Sequence, residues 1–108
     1  DLYNEKVIRS TQGAIFKLPI LNQNLEEAVT SLKEQGVRIY GTSLQNGRPL
    51  NEIEETMKMA FILGNEGSGV SKELLSLTDG NIFIEMTQNI ESLNVSIAGS
   101  IIMYRFRL

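Results

Sequence analysis

The sequence predicts an α/β domain built on a parallel sheet. Two observations carry this: short β-branched and aromatic runs alternate with helix-patterned segments, and three of those runs leave into loops rich in small and polar residues. A third sets the scale. At 108 residues and 42% hydrophobic content, the chain suits one domain burying roughly 65% of its unfolded surface. No repeat, low-complexity tract or linker divides it, and there are only two prolines, Pro19 and Pro49.

In "NLEEAVTSLKEQG", Leu25, Ala28, Val29 and Leu32 fall at i, i+3, i+4 and i+7, with Asn24 and Glu27 as a capping box and Gly36 as the stop. This predicts an amphipathic helix. "VRIYGTS" follows as a strand, and "LQNGRPLNEIEETM", with Asn46-Gly47 and Pro49, reads as a loop holding at most a short helical turn. "KMAFIL" is a buried strand, "SKELLSLTDG" a short helix and turn, "NIFIEM" a further strand, and "SLNVSIAGSIIMYRFRL" the final helix. Ligands of such sheets sit outside the carboxyl ends of the strands. The loops at that edge are "YGTS", "LGNEGSG" and "EMTQNIESLN".

Composition removes several chemistries. With no cysteine and no histidine, disulfides, Cys/His metal sites, cysteine nucleophiles and a Ser-His-Asp triad are excluded. A net charge of −3 offers no basic footprint, so a nucleic-acid partner requires a local basic patch or a further segment. The apolar runs are short and interrupted, well below the ~20 residues that cross a bilayer, and no secretory signal opens the chain. A soluble, cytoplasmic protein without membrane or metal partners is expected. The chain begins at Asp1, which reads as part of something longer.

"FILGNEGSGV" has the spacing G-x-x-G-x-G, neither the dinucleotide fingerprint nor the P-loop. A structural turn explains the glycines as well as a ligand loop does. Glu66 in the middle, with no basic residue before Lys72, argues against a phosphate cradle, which aims N–H groups and a lysine at anionic oxygens. A carboxylate there suits a ligand with a positive centre or hydroxyls. In "IESLNVSIAGSI", Ser92 is placed as an N-cap and Asn94 on the first helical turn, ahead of an apolar stripe of Val95, Ala98, Ile101 and Ile102. Capping and core packing account for most of this. The Asn94 amide, near a strand-end pocket, could also orient a hydroxyl or phosphate.

In order and spacing, "FILGNEGSGVS", "IFIEM" and "SLNVSIAGSIIMY" resemble motifs two and three of the SpoU-type (TrmH-like) RNA 2′-O-ribose methyltransferases of the SPOUT superfamily, and "DLYNEKVIRSTQGAIFKLPI" resembles the stretch leading into them. The resemblance implies a parallel sheet with helices on both faces, a C-terminal trefoil knot, and a homodimer. Residues 1–108 would be the C-terminal part of one such domain, its N-terminal strands missing. It also implies S-adenosylmethionine as cofactor and methyl transfer to a ribose 2′-hydroxyl of tRNA or rRNA. Carried over by position, Thr42, Leu63, Gly64, Ile84, Met86 and Leu93 would line the cofactor pocket. Glu66, Ser92 and Asn94 fall on positions associated with catalysis or with holding RNA and cofactor.

Two departures stand out. The family's motif one, N-x-G-x-x-x-R, has no counterpart: "TQGAIFK" carries Thr11 and Lys17 where the asparagine and arginine belong. Because that arginine is held to be catalytic, the 108 residues alone are expected to be inactive. Glu85 stands where many relatives carry proline, which bears on loop geometry alone. The competing readings are a non-catalytic RNA-associated or S-adenosylmethionine-binding module, and a small α/β domain for another nucleotide.

Overall fold

The computed structural model describes residues 19–43, 47–64, 70–84 and 95–107. Helix α1 (Leu25–Glu34) forms where the apolar spacing placed it, and both of its ends are satisfied by their predicted residues. Asn24 Oδ1 accepts the Glu27 N–H at 3.0 Å. At the other end Gly36 N–H donates to Lys33 O and Val37 N–H to Leu32 O, the paired bonds of a Schellman stop, with Gly36 at the positive φ of 82° that this stop requires. Val29 is buried, whereas Leu25, at the start of the same stripe, stays exposed.

Strand β1 (Arg38–Thr42) is followed by the short strand β2 (Gly47–Pro49), which runs into a 3-10 turn (Leu50–Glu52). Strand β3 (Met59–Ile62), helix α2 (Lys72–Leu77), strand β4 (Gly80–Phe83) and helix α3 (Val95–Phe106) complete the order. The strands form one sheet in the order β2-β4-β1-β3, and every pair is parallel. The presence of β2 corrects the reading of residues 44–57 as loop. Among the described residues it is an edge strand, paired with β4 alone, a place where proline is tolerated in a sheet. Its partner lies far along the chain, so local pattern carries no sign of it.

Period-two alternation decides what covers each face of the sheet. Ile39 and Gly41 of β1 point to one side, where α1 and α2 pack. Gly41 is needed there for closeness: a Cβ at this position would run into the Leu75 side chain and stand 2.9 Å from Asn81 Oδ1. On the opposite side Ile82, Leu50, Ile53, Ile102 and Phe106 make a buried cluster, with Tyr40, Met59, Phe61 and Ile84 packed against it. The Tyr40 and Phe61 rings stack at 6.0 Å between centroids, and Phe61 and Phe106 at 5.5 Å. Helices thus cover both faces, as expected. The expected knot turns on the path of residues 85–94, which lie outside the described residues.

Asp79 sets the register of β4 on β1. Its Oδ2 accepts the Ile39 N–H at 2.8 Å, and its own N–H donates to Ile39 O at 2.7 Å. Arg38 lies 3.8 Å from the other carboxylate oxygen. Lys33 reaches across from α1 to Leu77 O at 2.9 Å, a cation at the negative end of α2.

Candidate functional site

Parallel strands all release their chains at one edge, so the residues after β1, β3 and β4 are gathered by topology. The register pairs Gly41 with Ile62 and Thr42 with Ile82. Leu63 and Gly64 therefore leave the sheet on one side of Thr42, and Ile84, after Phe83, on the other. Four of the residues singled out in the sequence, Thr42, Leu63, Gly64 and Ile84, meet at this edge. Glu66, Met86, Ser92, Leu93 and Asn94 lie outside the described residues.

The edge is tied together by two bonds from adjacent residues. Thr42 Oγ1 donates to Ile62 O at 3.1 Å, and Ser43 N–H donates to Ile82 O at 3.1 Å. Leu63 is 41% exposed, while one of its methyls, Cδ1, lies 3.0 Å from where a Cβ on Gly99 would stand. Helix α3 therefore approaches the strand ends at Gly99, and Leu63 rests against it. Ile84 is half-buried against the Ile82 cluster. Ser43 and Gly99 were not singled out in the sequence. Gly99 had a signal, since a glycine inside a helix costs about 1 kcal/mol unless close packing requires it. Ser43 acts through its backbone and had none.

Thr42, Ser43, Leu63, Gly64, Phe83 and Ile84 are all uncharged. Such a wall offers apolar side chains, two hydroxyls and backbone polar groups, which suits the flat face of a nucleobase better than a phosphate. Among the described residues no group of three or more acidic, His or Cys side chains could hold a metal ion, and no helix is long and apolar enough to cross a membrane.

Comparison with known proteins places this geometry in a wider set. The profile of the SpoU rRNA Methylase family matches residues 1–104. A 23S rRNA (guanosine(2553)-2′-O)-methyltransferase of Bacillus subtilis, RlmP, is 45% identical over 107 residues, which is 99% of this chain and 43% of that protein. An S-adenosylmethionine-bound rRNA methyltransferase from Sinorhizobium meliloti superposes with a TM-score of 0.91 at 26% identity, over 99% of this chain and 41% of that one. The SpoU methyltransferase AviRb of Streptomyces viridochromogenes, in complex with the same cofactor, gives 0.85 at 26% identity, over 97% and 44%. The chain thus spans less than half the length of these relatives.

Proposed function

Because this chain belongs to the SpoU rRNA methylase family, we propose that it forms the cofactor-binding part of an S-adenosylmethionine-dependent RNA 2′-O-ribose methyltransferase. The observation that carries the reading is the meeting of Thr42, Leu63, Gly64 and Ile84 at the strand ends, four uncharged residues that suit the adenine of that cofactor. The substrate is tRNA or rRNA, and the 45% identity to a 23S rRNA enzyme favours rRNA.

When bound, S-adenosylmethionine supplies a methyl group on a sulfonium, open to in-line attack by a hydroxyl. The task of the protein is alignment. Leu63 and Ile84 offer apolar surface, and Gly64 lets backbone groups come close. Glu66, Ser92 and Asn94 orient the ribose and the cofactor. Proton removal from the ribose hydroxyl falls to the arginine of the family's motif one, which residues 1–108 do not carry, so a methylation assay of these residues alone is expected to give no product.

Titration of the full-length protein with S-adenosylhomocysteine in a calorimeter tests the reading. Saturable binding of one molecule per chain is expected, together with ribose methylation of rRNA. No heat of binding would sink it. Binding without methylation of any RNA would favour the non-catalytic module.

We also propose the homodimer that the family resemblance implies, with the exposed face of α3 as the surface a second copy would cover. This helix is apolar nearly all round: Ile102 and Phe106 are buried, yet Ile97 is 52% and Tyr104 80% exposed, and Ile101 and Met103 are exposed as well. Sedimentation of the full-length protein should give the mass of two chains, and Ile97→Glu with Tyr104→Glu should give one. A monomeric wild type would rule the dimer out.

A further inference from the structure

The backbone pairing of β1 with β3 ends at Gly41 and Ile62. One residue on, the two strands are still joined, but through a side chain: the part-buried Thr42 hydroxyl donates to the Ile62 carbonyl at 3.1 Å. The link to the other neighbour, from Ser43 N–H to Ile82 O, is a backbone bond open to any residue but proline. The link to β3 requires a hydroxyl at position 42. Threonine suits the place because its branched Cβ restricts χ1 and aims the hydroxyl at little entropic cost.

We infer that Thr42 is a positioning residue of the cofactor site, setting through the Ile62 carbonyl where Leu63 and Gly64 leave the sheet. The inference rests on the proposed S-adenosylmethionine reading of this edge and adds a role for Thr42 to it. Thr42 was expected to line the pocket; its single hydroxyl proton is given to Ile62, which leaves its acceptor lone pairs and its methyl for a ligand. Leu63 follows Ile62 without an intervening residue and is already backed by Gly99. A shift of the carbonyl is therefore passed to the pocket wall.

The test uses the full-length protein with Thr42→Val, which keeps the shape and removes the donor, and Thr42→Ser, which keeps the donor. Thr42→Val should raise the Kd for S-adenosylhomocysteine about five- to tenfold, the size of one lost hydrogen bond. kcat at saturating cofactor and RNA should change less than about twofold, since the bound geometry is restored by saturation. Thr42→Ser should bind like the wild type. Wild-type affinity in Thr42→Val, or equal weakening in Thr42→Ser, would overturn the inference, the latter by assigning the effect to the methyl group. Should Thr42→Val not fold, Thr42→Ala against Thr42→Ser decides on the same criterion. A wild type that fails to bind is a separate result, and it removes the cofactor reading itself.

Discussion

Replacing Ile82 with alanine is expected to lower the unfolding free energy by about 3 kcal/mol, within the range for deleting a buried isoleucine side chain. Ile82 is 1% exposed and sits in β4, between β2 and β1. It lies in the cluster with Leu50, Ile53, Ile102 and Phe106, which come from the 3-10 turn, the segment after it and α3. Its loss leaves a cavity that rigid neighbours cannot fill. Helix α3 is further held there by Arg105, which donates to Ile53 O at 3.2 Å and lies 4.8 Å over the Phe106 ring. Urea unfolding of the full-length protein would show this as a lower midpoint with an unchanged slope. Ile82→Val should cost only about 1 kcal/mol. A loss below about 1 kcal/mol for the alanine variant would mean that this cluster does not organise the α3 side of the sheet.

Glu66→Ala and Asn94→Ala are each expected to reduce kcat/KM for RNA methylation by about 100-fold in the full-length protein, the scale on which a small misplacement of reacting groups is felt. The roles come from the sequence. Glu66 puts a carboxylate in a glycine loop that would otherwise pass for an anion cradle, and Asn94 offers both a donor and an acceptor just before α3. Glu66→Gln separates charge from hydrogen bonding. It should recover activity if the ribose hydroxyl is what the residue holds, and should not if the partner is a cation such as the sulfonium or the motif-one arginine. Circular dichroism like that of the wild type is expected for all three variants. Unchanged methylation in both alanine variants would refute the assignment.

Much of the fold was legible because its causes are local. The stripe of α1, its Asn24 cap and its Gly36 stop depend on contacts between residues at most five positions apart, and the helix, cap and stop are formed. Family membership was legible for a similar reason: "LGNEGSG" and "SLNVS" are short and ordered in the chain, and the family profile covers residues 1–104. Where partners are distant, the reading failed. Leu25 belongs to the helical stripe by spacing, yet it stays 54% exposed. The short strand "GRP" has no strand pattern and exists because β4 offers it an edge.

The residue types in these loops belong to the sequence alone, since the charge of Glu66 and the smallness of Gly64 need no neighbour to act. The meeting of the described strand ends is a product of the tertiary structure. Thr42, Leu63 and Ile84 are separated by about 20 residues each and become neighbours only because parallel pairing in the order β2-β4-β1-β3 brings their strand ends to one edge. The same holds for the Thr42 hydroxyl. From the sequence alone its partner is open, and the nearby Ile62 carbonyl, brought beside it by the pairing of β1 with β3, is what receives its proton.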